Sequence, residues 1–210
     1  MSDVTDALRS LLVDGDLTCL VSDALDRGGA MGAAVRSVWS GARFVGEAVT
    51  VRTFGTDLSA VFDAIQAAGP GSVVVIDSHG VTNAAFWGER TTRAAMARGL
   101  VGAVIDGACR DVTAIGKLGF PVFSTAITPN AGLPGGRGAV NVPVAVGGMT
   151  VRPGDVLVGD ENGVVVIPLE RQGEVLGKVR AQMEAERLAF QAADRGESAP
   201  PEGNERTVSK

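Results

Sequence analysis

Three short apolar runs, separated by segments with helical periodicity, constrain the fold of this chain more than any other feature. They are SVVVID at 72–77, LVGAVID at 100–106 and FPVF at 120–123, and none alternates with polar residues as a half-exposed strand does. Strands of this kind are buried on both faces, as in parallel sheets. The helices predicted between them, 91–98 and 111–118, are the crossovers that parallel strands require. The pattern predicts an α/β fold with one central sheet.

The rest of the chain extends this pattern on both sides. The predicted helices are 3–12, 19–28 with Thr18 as its cap, a helix opened by Asp57 and closed by Gly69, and a long helix over 169–192. The predicted strands are 45–53, 139–146, 155–160 and 163–168. No linker divides the chain. We therefore expect a single domain over 1–193, followed by a disordered tail, 194–210, that is almost without apolar residues.

The counts of reactive side chains exclude several classes of chemistry. His79 is the single histidine, there is no tyrosine, and Cys19 and Cys109 are the two cysteines. One chain therefore cannot build a metal site from several histidines or a disulfide scaffold. None of the three lysines is expected in the apolar surroundings that an imine-forming lysine needs. Carboxylates, arginines, backbone amides and a hard metal ion are the remaining tools.

Charge and segment composition bear on partners and location. The 19 basic and 24 acidic residues give a formal charge of −5, which argues against a nucleic-acid partner, because such proteins need a clustered basic face. The amino-terminal segment lacks the basic and apolar regions of a signal peptide, and no run is apolar enough to span a bilayer. We expect a soluble cytoplasmic protein that does not act on membranes.

The stretch from Gly88 to Asp111 carries the strongest functional signal. It repeats the order strand, tight turn, helix, which brings helix N-termini to the carboxyl ends of strands, where open α/β sheets bind ligands. There the guanidinium fork of Arg110 suits a carboxylate, and the side chain of Asp111 suits Mg²⁺ or Mn²⁺. The plainer interpretation is a helix cap beside a solvated ion pair. These residues alone leave both interpretations open.

Twenty residues separate Glu89 from Arg110, so the segment reads acid-x20-Arg-Asp. This pattern resembles the D-x20-R-D motif of the RraA-like family, which includes the 4-hydroxy-4-methyl-2-oxoglutarate/4-carboxy-4-hydroxy-2-oxoadipate aldolases. Further blocks resemble the family in the family's order, over about residues 10–190. They are VSDALDRGG (21–29), GARFVGEAVTVR (41–52), PGSVVVID (70–77), ARGLVGAVIDGACRDV (97–112), GFPVF (119–123) and VPVAVGGMTVRPGDVLVGDENGVVVIP (142–168).

The resemblance implies a swivelling β/β/α domain, an αββα sandwich with a long C-terminal helix, assembled as trimers or hexamers. It also implies a class II pyruvate aldolase that depends on Mg²⁺ or Mn²⁺ and has its site between subunits. Arg110 would hold the pyruvyl carboxylate and keto oxygen, and Asp111 would bind the metal. Glu89, where the family usually has Asp, would hold a metal-bound water that takes the C4 hydroxyl proton. A glutamate from the neighbouring subunit's long helix would complete the pocket, with Glu186 the first candidate and Glu184 the second.

Three features depart from the family pattern. After the acidic residue, relatives commonly have small apolar residues whose amides bind substrate, whereas Arg90 here could reshape the pocket or add a second carboxylate contact. Asp57 stands where relatives often have Asn, and it either caps its helix or touches substrate. His79 lies in a loop that is often glycine-rich in relatives, and it is either a general acid or base or a histidine without a catalytic role. The substrate-binding amides in this chain would be those of Gly88, Arg90, Thr91 and Thr92.

The expected reaction is cleavage of a 4-hydroxy-2-oxo acid to pyruvate and a keto acid. The substrate would be 4-hydroxy-4-methyl-2-oxoglutarate or 4-carboxy-4-hydroxy-2-oxoadipate, and the same electron sink predicts oxaloacetate decarboxylation as a side activity. The alternative is a regulator of ribonuclease activity, which acts through its oligomer surface without turnover. A quinone methyltransferase is disfavoured because no glycine-rich nucleotide fingerprint follows the first strand.

Overall fold

The computed structural model describes residues 3–12 and 15–195, and it confirms the α/β class. Six α-helices and eleven β-strands lie in these ranges. The helices are α1 (Asp3–Leu11), α2 (Leu17–Ala24), α3 (Ser59–Ala67), α4 (Glu89–Ala97), α5 (Val112–Leu118) and α6 (Gln172–Asp194). The strands are β1 (Arg36–Ser37), β2 (Phe44–Arg52), β3 (Ser72–Asp77), β4 (Ala85–Trp87), β5 (Gly102–Cys109), β6 (Val122–Ile127), β7 (Ala139–Val140), β8 (Val144–Val146), β9 (Met149–Val151), β10 (Val156–Asp160) and β11 (Gly163–Ile167).

Nine strands of the described chain form one mixed sheet in the order β1-β6-β5-β3-β2-β10-β11, with β4 beside β5 and β7 beside β2. The central strands β2, β3, β5 and β6 are parallel, and antiparallel strands flank them on both sides. The two ends of this order approach each other, where Nη1 of Arg36 donates to the carbonyl of Asn162 at 3.3 Å. The sheet is therefore nearly closed on itself. β8 and β9 form a separate hairpin.

Both faces of the central strands are covered, as the apolar runs predict. Every residue of β3 is buried. Val75 faces the enclosed side of the curled sheet, where the rings of Phe44 and Phe123 meet edge to face with centroids 5.5 Å apart. Ile76 faces the opposite side, where α3, α4 and α5 pack. This covering leaves the carboxyl ends of the strands as the open edge of the layer.

A third apolar layer forms where α1, α2 and α6 pack on the outer face of β10 and β11. The long C-terminal helix is confirmed; it follows a 3₁₀ turn at Leu169–Arg171 and ends at Asp194 rather than 192. The prediction that Thr18 caps α2 is wrong, because Thr18 lies inside the helix. Its hydroxyl and amide instead donate to the carboxylate of Asp160, at 2.7 and 2.9 Å. That acceptor comes from β10, which the local sequence does not reveal.

Two differences from the predicted elements affect the region that builds the site. β5 continues through Asp106-Gly107 to Cys109, three residues beyond the strand end that the sequence predicted. β4 lies between the predicted strand 72–77 and the predicted helix 91–98, where the sequence predicts no strand, and it pairs with the additional length of β5, Ala85 opposite Ala108. A run of three apolar residues is too short to show strand periodicity. The pairing between β4 and β5 therefore decides where β4 forms and where β5 ends.

Other bounds move by smaller amounts. The strand predicted over 139–146 is divided into β7 and β8 at Asn141, whose φ of 56° is left-handed. The strand predicted at 120–123 is β6, displaced toward the C-terminus. The predicted tail begins inside α6, and from residue 196 onward it lies outside the described residues. Within residues 3–12 and 15–195, no helix is both long enough and apolar enough to cross a membrane.

Candidate active site

The site lies where β4 and β5 end side by side. These strands are parallel, so Gly88, which follows β4, and Arg110, which follows β5, come to the same edge of the sheet. The amide of Arg110 donates to the carbonyl of Trp87 at 2.9 Å. One residue further on, the amide of Glu89 donates to Oδ2 of Asp111 at 3.0 Å. The two ends of the acid-x20-Arg-Asp segment are therefore in contact.

Arg110 and Asp111 lie between β5 and α5, which begins at Val112 rather than at the predicted residue 111. Asp111 has a left-handed backbone with φ 57°, which is uncommon for a residue other than glycine, and its side chain forms no cap hydrogen bond with α5. Nε of Arg110 lies 3.5 Å from Oδ2 of Asp111, and the two side chains are 41% and 39% exposed. Oδ1 of Asp111 accepts no hydrogen bond from the described part of the chain. Both groups are therefore accessible to a ligand.

Gly88 is required at the junction because of close approach. A Cβ added there would lie 2.7 Å from Oδ2 of Asp111 and 3.1 Å from Cγ of Arg110. Its backbone is extended, at φ −166°, so the constraint is one of space rather than of conformation. Only glycine leaves enough room at position 88 for the side chains of Arg110 and Asp111.

A pocket of about 430 Å³ opens beside these residues. Its charged lining consists of Arg90, Arg110 and Asp111, and its floor is apolar. Another part of the lining comes from the beginning of α3 and from the loop at 131–134, which the sequence did not place beside Arg110. The lining residues missed by sequence reasoning are Leu58, Phe62, Ala85, Phe86, Trp87, Ala131, Gly132 and Pro134.

The two predicted threonines hold the entry to α4. The hydroxyl of Thr91 is within 2.9 Å of both the amide and the carbonyl of Gly88. The hydroxyl of Thr92 accepts a hydrogen bond from Nε1 of Trp87 at 2.8 Å, and its side chain is buried away from the pocket. The two threonine side chains thus hold the backbone at the start of α4. The backbone amides of the first turn of α4 remain available to a ligand, since a helix N-terminus leaves its N–H groups without intrahelical acceptors.

Glu89 begins α4, but its carboxylate is directed along the helix. Oε1 accepts a hydrogen bond from Nε of Arg93 at 2.8 Å and lies 2.7 Å from Nη2 of the same ion-pair partner. The side chain of Glu89 is not among those that line the pocket. A role for Glu89 in proton transfer therefore requires its carboxylate to leave Arg93 and rotate past Gly88.

Asp57 is buried and binds the loop that forms one pocket wall. Oδ1 accepts from the amides of Ser59 and Gly135, both at 2.9 Å, and Oδ2 accepts from the amide of Arg137 at 2.8 Å. These amide hydrogen bonds hold the pKa of the Asp57 carboxyl well below its usual range. Of the two interpretations, the structure supports the cap, because Asp57 binds the start of α3 and does not line the pocket.

His79 lies in a different cluster. Its backbone has φ 56°, its amide donates to Oδ1 of Asp77 at 3.0 Å, and its Nδ1 lies 3.3 Å from the same oxygen. Burial, and then the nearby charge of Asp77, raise the pKa of the neighbouring Asp106. His79 does not line the pocket that contains Arg110.

The two glutamates predicted to serve a neighbouring subunit lie on α6, away from the pocket of their own chain. They line a groove between α6 and the α1–α2 region. Glu184 is bound by Arg187 through both carboxylate oxygens, at 2.7 and 2.8 Å. Oε1 of Glu186 accepts a longer hydrogen bond, 3.3 Å, from Gln182.

The donor set suits magnesium better than a metal that needs many protein ligands. No group of three or more His, Cys, Asp and Glu side chains capable of holding a metal occurs among the described residues. Mg²⁺ keeps several waters and binds through one or two carboxylates together with substrate oxygens. Asp111, with one free and accessible oxygen beside the pocket, fits that requirement.

The family model described as RraA-like, Aldolase/RraA, matches residues 18–166. The chain belongs to the RraA-like family. A protein of Halalkalibacterium halodurans, provisionally named a 4-hydroxy-4-methyl-2-oxoglutarate aldolase, is 39% identical over 163 residues, which is 78% of each chain. The resemblance inferred from the acid-x20-Arg-Asp motif and its flanking blocks is therefore confirmed.

Solved structures of the family confirm the swivelling β/β/α fold with its long C-terminal helix. An uncharacterized protein from Pseudomonas syringae pv. tomato has a TM-score of 0.79 and 32% identity, covering 92% of this chain and 91% of its own. The RNA-processing inhibitor RraA of Thermus thermophilus has a TM-score of 0.67 and 32% identity, covering 74% of this chain and 93% of its own. Proteins similar to this chain thus carry both an aldolase name and an inhibitor name.

Proposed function

We propose that this RraA-like protein is a divalent-metal-dependent class II aldolase that releases pyruvate from a 4-hydroxy-2-oxo acid. One observation carries the proposal. Arg110, the exposed carboxylate of Asp111 and the N-terminus of α4 converge on one pocket of about 430 Å³, a volume that suits a small oxo acid. A regulator that acts through its surface has no need of such a convergence. Relatives named for the same reaction add support.

Arg110 binds and orients the pyruvyl end of the substrate. Its planar fork matches a carboxylate, and the amides at the start of α4 supply further donors to the same anion. The guanidinium also adds positive charge next to the keto oxygen, where negative charge develops as the C3–C4 bond breaks. Gly88 permits this arrangement because it leaves room for both side chains of the Arg110-Asp111 pair.

Asp111 would hold Mg²⁺ or Mn²⁺ through Oδ1. The hydrogen bond from the Glu89 amide to Oδ2 fixes the carboxylate so that Oδ1 remains available. When bound, the metal supplies Lewis-acid charge to the keto oxygen and carboxylate of the substrate. The same electron sink makes oxaloacetate decarboxylation the expected side activity.

The C4 hydroxyl proton must leave during cleavage, and we assign its transfer to Glu89 acting through water. Glu89 directly follows the pocket residue Gly88, and it has the place of the family's acidic residue. Its present partner, Arg93, is an exposed neighbour one helical turn away, and such pairs are weak enough to exchange. Rotation of the Glu89 side chain would bring a carboxylate toward the pocket mouth.

Assembly as a trimer or hexamer completes the proposal, with Glu186 of the neighbouring subunit reaching the pocket. Glu186 is preferred over Glu184 because Arg187 already occupies both oxygens of Glu184. The reaction compartment is proposed to be the cytoplasm. The small-molecule substrate is either 4-hydroxy-4-methyl-2-oxoglutarate or 4-carboxy-4-hydroxy-2-oxoadipate.

The alternative is a non-catalytic regulator of ribonuclease activity, for which the inhibitor name of the Thermus thermophilus structure is the specific observation. The two functions differ in whether the protein converts a substrate to product in this pocket. Pyruvate release from both substrates and from oxaloacetate, measured with and without Mg²⁺, decides between them. We expect Mg²⁺-dependent release that is lost in Arg110→Ala. Absence of turnover with all three compounds would favour the regulator.

A further inference from the structure

A second arginine lines the pocket. Arg90 is the second residue of α4, two positions after Gly88, and it borders the same cavity as Arg110. The two guanidinium groups come from different segments, one from the start of α4 and one from the end of β5. They are therefore placed independently around a single cavity.

Arg90 contacts an aromatic ring and forms no ion pair within the described part of the chain. Its guanidinium carbon lies 5.7 Å from the centroid of the Phe62 ring, over the ring face. No acidic side chain pairs with it among the described residues, in contrast to Arg93, which binds Glu89, and Arg110, which approaches Asp111. A guanidinium that contacts an aromatic ring in this way can still donate its N–H groups to a carboxylate.

The charge of the pocket is opposite to that of the whole protein. Its ionisable lining residues are two arginines and one aspartate, although the chain has a formal charge of −5. One arginine and one aspartate suffice for a monocarboxylate with its metal. The additional positive charge calls for a ligand with a second anionic group.

We infer that Arg90 binds a second carboxylate, at the tail of the substrate, and that the pocket thereby selects 2-oxo acids with an anionic tail over those with a neutral one. This inference rests on the proposed function, because it takes Arg110 as the group that binds the 2-oxo acid end. Phe62 is the positioning residue, since its ring holds the guanidinium beside the cavity. The selectivity is a property of this chain's own Arg90 and not of the acid-x20-Arg-Asp motif.

Two non-cleavable probes of equal chain length test the inference. 2-Oxoglutarate and 2-oxopentanoate share the 2-oxo acid end and differ in a carboxylate against a methyl group at the tail. Calorimetric titration of the full chain with each probe, in the presence and absence of Mg²⁺, gives a binding ratio that does not depend on turnover. A charge-assisted hydrogen-bonded pair predicts that the wild-type protein prefers 2-oxoglutarate by about tenfold or more.

Four variants distinguish the effect of Arg90 on probe binding from the effect of overall charge and from the effect of Arg110. Arg90→Gln should abolish the preference while binding 2-oxopentanoate within about twofold of wild type. Phe62→Leu should reduce the preference, because the arginine loses its platform. Arg98→Gln, at the opposite end of α4, removes the same charge from an exposed residue that does not line the pocket and should change neither affinity. Arg110→Gln should weaken both probes.

Each contrary result has a distinct meaning. Equal affinity of the wild-type protein for the two probes, or an unchanged preference in Arg90→Gln, overturns the assignment of Arg90 and leaves the proposed function standing. Unchanged binding of both probes in Arg110→Gln overturns the proposed function. Failure of the wild-type protein to bind either probe overturns both.

Discussion

The backbone amide of Glu89 donates a 3.0 Å hydrogen bond to Oδ2 of Asp111, so the first residue of α4 contacts the residue that precedes α5. This contact gives a physical reason for the spacing of the acid-x20-Arg-Asp segment. The intervening residues form α4 and β5, which carry the chain away from the site and back to it. The amide of residue 89 orients the carboxylate whatever acid stands there, so Glu in place of the family's Asp preserves this part of the site.

Asp111→Asn should lose metal-supported turnover while the protein folds normally. The amide oxygen of Asn can still accept the Glu89 hydrogen bond, but the neutral side chain is a poor ligand for Mg²⁺. We expect kcat to fall about 100-fold or more. Pyruvate release over a range of Mg²⁺ concentrations measures the effect, and circular dichroism checks the fold. Wild-type activity at limiting Mg²⁺ would show that Asp111 does not bind the metal.

Arg110→Lys should be poorly active although the charge is kept. An ammonium group cannot form the two parallel hydrogen bonds of a guanidinium fork, and its shorter reach changes the position of the substrate carboxylate. We expect a loss of about 100-fold in kcat/KM. Steady-state kinetics with a single substrate measures this, and a near-normal value contradicts direct carboxylate binding by Arg110.

Gly88→Ala should reduce activity with little loss of stability. The extended backbone at residue 88 accepts alanine, but the new Cβ would lie 2.7 Å from Oδ2 of Asp111 and must displace it. Moving a catalytic group by about 1 Å can lower the rate by about 100-fold. Gly173→Ala is the matched control, because a Cβ there has open space. Full activity of the Gly88 variant would show that the position of the Asp111 carboxylate does not matter for catalysis.

Asp57→Asn should destabilise the protein in a pH-dependent way. Hydrogen bonds from backbone amides lower the pKa of Asp57 in the folded state, so its contribution is complete above the unfolded pKa of about 3.9 and is lost as the pH falls through the lower folded value. The wild-type protein should therefore be the more stable of the two at neutral pH, and the difference should shrink in acid. Urea unfolding at a series of pH values measures it, and equal stability at neutral pH would contradict the role.

Mixing two inactive variants should restore activity if Glu186 serves a neighbouring subunit. Arg110→Ala lacks the substrate-binding group and Glu186→Ala lacks the reaching carboxylate, so some interfaces in exchanged oligomers contain both wild-type residues. Pyruvate release after subunit exchange is the measurement. Glu170→Ala, in the exposed 3₁₀ turn before α6, should be active by itself. No recovery after proven exchange, or full activity of Glu186→Ala, would exclude the shared site.

Sequence reasoning succeeded where the controlling interactions are local. The buried run at 72–77 and the helix that became α6 have periodicities that their own residues determine. It failed at β4 and at the end of β5, because the two segments form strand only by pairing with each other. It placed Arg110 and Asp111 correctly at a strand end, but it began the following helix at Asp111, since no local signal reveals the left-handed backbone of that residue.

The sequence by itself determined the α/β class, the family and the residues that can carry chemistry at the end of β5, because burial patterns and motif spacing are written along the chain. Tertiary structure alone decided what each side chain faces. It used Asp57 to bind a distant loop, and it placed Arg90 over Phe62 in the pocket that Arg110 also lines. These outcomes depend on contacts between residues that are remote in sequence or compete for the same partner, and such contacts exist only once the sheet has formed.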